Sequence, residues 1–190
     1  MISLLLYLFS SLCCVISANL IKNDPVKIID IVHHNLPFLN VKYLSDFLVL
    51  SEIVLAVTLI DKDTLSELFF IMGITQFFRA LCSLSTVLPP LKSYSEKIRL
   101  GGINGTGTEY IFSGHASYSA ISAIYLYKKE ILNFPFLFFY NLVSQFCIII
   151  TRNHYTVDIV LAWIIVPLIW GNVYLCKNST DCFDSIKIFL

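Results

Sequence analysis

Residues 113–158 read SGHASYSAISAIYLYKKEILNFPFLFFYNLVSQFCIIITRNHYTVD. The stretch opens on Ser113-Gly114-His115 and closes on His154-Tyr155-Thr156-Val157-Asp158. The apolar sequence between them is interrupted by charge at Lys128-Lys129-Glu130 and, just before the second motif, at Arg152, and fits two membrane crossings joined by a short turn. An even number of crossings returns both histidines to the same membrane face, so one site can contain them. Ionisable groups beside apolar helices are costly at membrane depth and point to function.

The rest of the chain agrees with this reading. Of 190 residues, 57% are hydrophobic and 14% charged, and the mean hydropathy is +0.77. An ordinary soluble domain is roughly 25% charged. Net charge is zero and no basic run is long enough to hold a nucleic-acid backbone. Six apolar stretches are expected as helices: Ile2–Leu20, Tyr43–Ile60, Leu65–Leu88, Ser113–Tyr127, Phe134–Thr151 and Tyr155–Leu175. The expected architecture is therefore an all-α membrane protein, a six-transmembrane-helix bundle forming a single domain over residues 1–190, with its catalytic core at about 30–170. The fourth stretch is short and rich in Ser and Tyr, so it should pack inside the bundle.

The connectors alternate in character. Asp61–Thr64 and Lys128–Asn133 are short, whereas Ile21–Lys42 and Pro89–Phe112 are long and carry most of the glycines. Six spans put both long connectors and both histidine motifs on one side. The positive-inside rule does not orient the chain, because basic residues are nearly balanced between the sides. Residues 1–18 read either as a first span or as a cleaved signal peptide ending near Ile16-Ser17-Ala18. The sequons at Asn104 and Asn178 fall on opposite sides, so at most one can be glycosylated. The six cysteines form no metal-binding pattern. Cys13, Cys14, Cys82 and Cys147 read as packing residues, and Cys176 and Cys182 could form a disulfide that nothing in the sequence requires.

His154 and Asp158 are four apart at the start of the sixth span, so they share a helix face. A carboxylate there can hold one imidazole nitrogen and leave the other as nucleophile or base. Ser113 is a good N-cap, and the free N–H groups behind it favour phosphate, as do the glycines at 101, 102, 105 and 107. Arg79 and Glu52 lie inside apolar stretches and need partners; an Arg79–Glu52 pair is one reading. Arg152 reads either as a phosphate ligand or as an interfacial snorkelling residue. His33-His34, beside Asp30, reads as a solvated loop.

With these residues in hand, the chain resembles the sphingomyelin synthase family and its inositol phosphorylceramide synthase relatives, within the type 2 phosphatidic acid phosphatase superfamily. Phe112-Ser113-Gly114-His115 resembles the family's Tyr/Phe-Ser-Gly-His motif. His154-Tyr155-Thr156-Val157-Asp158 with Ala162-Trp163 resembles its His-Tyr-Thr-Val-Asp motif. Arg79, Thr86, Leu88 and Pro89 keep the spacing of a third motif, and Ser51-Glu52-Ile53 resembles a Ser-Glu-Ile element. There are departures: Gly107-Thr108-Glu109 stands where the family has Cys-Gly-Asp, and Ala116 where Thr commonly follows the histidine. Thr151-Arg152-Asn153 is closer to the inositol phosphorylceramide branch or to lipid phosphatases. These leave the triad intact and the head group open.

The resemblance implies a ceramide phosphotransferase that needs no metal or cofactor. His154 would attack the phosphorus of a glycerophospholipid, Asp158 would orient it, and His115 would protonate the leaving diacylglycerol and then deprotonate the ceramide hydroxyl. Arg79, Ser113, Gly114, Glu109, Arg152 and Glu52 would contact substrate. The site would face the lumen or exterior at the Golgi, endoplasmic reticulum or plasma membrane, with a homo-oligomer left open. Two other readings stand. A lipid phosphate phosphatase would use the same triad with water as acceptor, although its usual upstream Lys…Arg-Pro motif is not found. An inactive scaffold or transporter would keep the fold, although its polar residues would then line several spans.

Overall fold

The computed structural model describes residues 2–20, 29–86, 88–89, 91, 99–100, 103–104 and 111–178. It contains six long helices: α1 (Ile2–Leu20), α3 (Lys42–Leu59), α4 (Lys62–Ser85), α5 (Gly114–Lys128), α6 (Phe134–Ile150) and α7 (Thr156–Asn178). A single turn, α2 (Ile31–Asn35), precedes α3, and a two-residue antiparallel pair, β1 (Arg99–Leu100) with β2 (Ile103–Asn104), lies between α4 and α5. The long helices lie within three residues of the six apolar stretches at each end.

Local chemistry sets the boundaries. Asp61 caps α4 by accepting from Thr64 N and its hydroxyl, and Asn133 caps α6 by accepting from Phe136 N beside Pro135. Helices α5 and α6 both end in a Schellman arrangement with a non-glycine residue at positive φ. At α5 the residue is Glu130 (φ 55°), with Glu130 N–Tyr127 O at 2.9 Å and Ile131 N–Leu126 O at 3.0 Å. At α6 it is Arg152 (φ 56°), with Arg152 N–Ile149 O at 2.9 Å and Asn153 N–Ile148 O at 3.3 Å. This second turn reverses the chain immediately before His154.

Helix α5 is the hub and packs on α3, α4, α6 and α7, while α1 lies along α4. Ala120, Ile121, Tyr125 and Leu126 of α5 meet Leu68 and Ile71 of α4 and Val166 of α7 in one apolar core. A second core, next to the histidine motifs, joins Val49, Phe112, Ala116, Ile148, Ile159 and Ala162. At the opposite end, Lys129 Nζ lies 2.7 Å from Asp61 Oδ2, which brings the two short connectors together.

Polarity is distributed inside out. Glu52, Ser119 and Asn141 are buried together: Ser119 Oγ donates to Glu52, and Asn141 Nδ2 donates to Glu52 Oε1 at 2.6 Å. Glu67 is buried too and accepts from Lys128 Nζ at 2.9 Å and Tyr125 OH at 3.0 Å. Meanwhile Phe47, Val54, Phe139, Phe146, Ile164 and Leu168 are exposed. This fits hydrocarbon rather than water around the bundle. Two helices, Lys62–Ser85 and Thr156–Leu175, are long and apolar enough to cross a membrane, and Ile2–Ile16 and Phe134–Ile150 are shorter apolar helices. Length and composition alone do not give the six crossings expected from the sequence, because α3 carries Lys42, Asp46 and Glu52 and α5 has 15 residues.

Close approach of α1 to α4 depends on Gly73. A Cβ built there would lie 3.1 Å from both Leu6 Cγ and Tyr7 N. Gly73→Val should therefore push α1 outward and cost about 1–3 kcal/mol. Thermal unfolding in detergent would register this as a lower midpoint; an unchanged midpoint would mean that α1 slides freely on α4.

Candidate active site

One backbone hydrogen bond ties the two histidine motifs together. Ser113 N donates to the Asp158 carbonyl at 3.1 Å, so the first turns of α5 and α7 lie side by side. Ser113 is fully buried, and its hydroxyl caps α5 by accepting from Ala116 N at 3.2 Å. It is thereby a structural cap, and the chain immediately after it presents Gly114 and His115.

His115 is about one-third exposed, and its Nε2 lies 3.2 Å from Asp46 Oδ1 of α3. His154 is 1% exposed and follows the reversal at Arg152. The two imidazole centroids are 5.8 Å apart with an interplanar angle of 62°. His154 Nδ1 lies 3.9 Å from Asp158 Oδ2, longer than a hydrogen bond. The same carboxylate oxygen accepts from Tyr155 N at 3.1 Å, while Oδ1 has no hydrogen-bond partner among the described residues. Burial holds the His154 imidazole well below the ordinary histidine range, and the neighbouring His115 and Arg79 charges push the same way. At neutral pH the ring is therefore uncharged and carries a lone pair.

Arg79 enters from α4. Its Nε donates to Phe112 O at 3.0 Å, and Nη1 lies 3.5 Å from Gln76 Oε1. Gln76 in turn donates to Tyr118 OH. The guanidinium lies against Gly114, where an added Cβ would sit 3.2 Å from Cζ. Arg79, Gly114, His115 and Asp46 form the polar end of a pocket of about 270 Å³, and Val49, Leu50 and Ile53 continue it along one face of α3. The arrangement supplies a neutral imidazole, a second imidazole beside a carboxylate, and an arginine facing the backbone at a helix start. Such a set can bind a phosphate, displace a group from it and move one proton.

Several sequence expectations change here. Arg79 does not pair with Glu52: Arg79 bonds to Phe112 and Gln76, and Glu52 to Ser119 and Asn141. Glu52 thus belongs to an interhelical polar network rather than to the pocket lining. Arg152 points away from the pocket, donating Nη2 to His33 O at 3.0 Å and lying over the Phe38 ring. His33 is not solvated but 8% exposed, stacked on Tyr155 with its Nδ1 3.7 Å from Asp30 Oδ2. Glu109 and the glycines at 101, 102, 105 and 107 lie outside the described residues. Asp46 was not singled out from the sequence, although an acid within an apolar stretch was the available signal.

Residues 107–176 match the family model described as PAP2 superfamily C-terminal. The matched segment contains both histidine motifs and supports the type 2 phosphatidic acid phosphatase superfamily, whose members are generally enzymes acting on lipid phosphates. No curated protein matches the chain.

The contact between Gly114 and Arg79 is directly testable. Gly114→Ala should displace the guanidinium and lower lipid turnover about 10-fold or more, because misplacement near 1 Å is costly in a positioned site. The melting temperature should change little. Unchanged turnover would remove Arg79 from the working site.

Proposed function

We propose that the chain is a membrane-embedded lipid phosphotransferase that moves a phospho-head group from a glycerophospholipid to ceramide and releases diacylglycerol. The reading is carried by one observation: buried His154 and partly exposed His115 stand 5.8 Å apart, centroid to centroid, and His115 lines a pocket that continues along an apolar helix face. The polar end suits a head-group phosphate and the α3 face suits a lipid tail. The resemblance to sphingolipid synthases and the superfamily match over residues 107–176 support it. All six long helices would cross the membrane, with the site on the lumenal or exterior side.

The neutral nitrogen of His154 attacks phosphorus, and the bond from phosphorus to the glycerol oxygen breaks. His115 gives its proton to that oxygen, and diacylglycerol leaves. Asp158 stabilises the positive charge on His154, and Arg79 with the α5 N-terminus balances the phosphate. His115, now neutral, takes the proton of the ceramide hydroxyl, whose oxygen attacks phosphorus. The nitrogen–phosphorus bond breaks and His154 returns to its starting state. Asp46 keeps the His115 ring oriented through both transfers.

The test uses purified protein in detergent–lipid micelles with fluorescent ceramide and, in turn, phosphatidylcholine, phosphatidylethanolamine or phosphatidylinositol. A new phosphosphingolipid with one donor is expected. It should disappear in His115→Ala, His154→Ala and Asp158→Ala, each still folded. Hydrolysis of donor or of phosphatidic acid with no ceramide product would move the assignment to a lipid phosphatase. Wild-type product from His154→Ala would exclude its nucleophilic role.

The pH profile provides a separate check. The reactive His154 is the neutral form, and burial lowers its pKa, so protonation sets in only at lower pH than for an ordinary histidine. The His154 ring, followed by NMR titration, should therefore protonate below pH 6.5, near which an unperturbed histidine titrates. A midpoint at or above that value would contradict the assignment.

A further inference from the structure

We propose that Asp30 is a positioning residue for His154: its carboxylate caps α7 from the connector before α3 and fixes the turn that carries the imidazole. This rests on the reading of His154 as nucleophile. Helix α7 starts at Thr156, and Tyr155 before it has no side chain able to cap. Asp30 supplies the missing acceptor from elsewhere in the chain. Its Oδ2 accepts from Thr156 N at 2.6 Å and its Oδ1 from Thr156 Oγ1 at 2.9 Å. The same Oδ1 accepts from Val32 N at 3.0 Å and His33 N at 3.1 Å, so one carboxylate holds the first turns of both α2 and α7.

The surrounding contacts make this a clamp on the His154 turn rather than a lone cap. Arg152 Nη2 bonds to His33 O, Leu39 N to Ile150 O at 3.1 Å, and the His33 ring stacks on Tyr155. Residues on both sides of His154 are thus anchored to the 30–39 segment. Burial pushes the Asp30 carboxyl up, but the bonds from Thr156 and His33 outweigh it and keep the group below its ordinary range. The negative charge sits where the α7 dipole favours it. The Asp30 carboxylate is taken up by Thr156 and the first turn of α2, so it acts through the His154 turn rather than on substrate.

Asp30→Asn keeps one acceptor oxygen and turns a second N–H donor toward Thr156 N or α2. Misplacement of a positioned group by about 1 Å can cost about 100-fold in rate. The experiment mixes protein with micelles of phosphorus-radiolabelled phosphatidylcholine, phosphatidylethanolamine, phosphatidylinositol and phosphatidic acid, quenches at short times, and measures labelled enzyme. Asp30→Asn should slow labelling about 10- to 100-fold while the final label per chain stays at the wild-type level. Thr156→Val, which leaves Asp30 and its α2 bonds intact, should slow it less, and Thr156→Ser should restore the rate. If Asp30→Asn does not fold, the Thr156 pair decides alone. Unchanged labelling rates would overturn the clamp. So would a smaller final label with an unchanged rate constant, because that describes loss of folded protein. Labelling that persists in His154→Ala would instead overturn the nucleophile reading.

Discussion

The hydrogen bond from Ser113 N to the Asp158 carbonyl is the constraint from which the site follows. It joins two helix starts that are 45 residues apart in sequence and forces His115 and His154 onto neighbouring turns. Two helices cross the bundle between these motifs, so the register of α5, α6 and α7 must be right for this bond to form. The α6 reversal at Arg152 sets that register by ending the helix at a fixed residue. Each non-glycine residue at positive φ costs of order 1–3 kcal/mol, a strain that surrounding contacts must hold. At Arg152 those contacts are the His33 carbonyl and the Phe38 ring.

In the proposed membrane-embedded state, a bundle with an apolar exterior gains little from apolar burial, because hydrocarbon would surround it. Its specificity then comes from close approach and from polar groups that must be satisfied inside. Gly73 provides the first at α1–α4. Glu52 provides the second by joining α3, α5 and α6 through Ser119 and Asn141. Glu67 does the same for α4 and α5 through Tyr125 and Lys128, at the end away from the histidines. Polar groups therefore do two separate jobs: Glu52 and Glu67 join helices, while Asp46, Arg79 and His115 line the pocket.

This division explains what could be read from the sequence. Helix positions were legible because apolar runs end at residues with plain capping chemistry, such as Asp61, Asn133 and Ser113. The histidine motifs were legible because His, Asp and Gly at those spacings have few uses beside apolar helices. The partners of Arg79 and Glu52 were not legible. Both are ionisable residues in apolar stretches, and opposite charge made a pair look natural, but partner choice depends on helix rotation. Asp30 and His33 were misread for a related reason. A short polar segment in a long connector looks solvated until the fold brings Thr156 against it. Asp46 escaped because nothing in its own helix marks it as facing His115.

The two histidines are chemically alike and environmentally unlike, and that difference is the argument for the roles proposed for them. A nucleophile at phosphorus must keep its lone pair, and burial of His154 does so by opposing its protonation. A proton carrier must gain and lose charge with each half-reaction, which a fully desolvated ring does poorly. His115 is about one-third exposed, and Asp46 Oδ1 lies 3.2 Å from its Nε2. Reversing the proposed assignment would ask the fully buried ring to gain and lose charge at each half-reaction, against its environment.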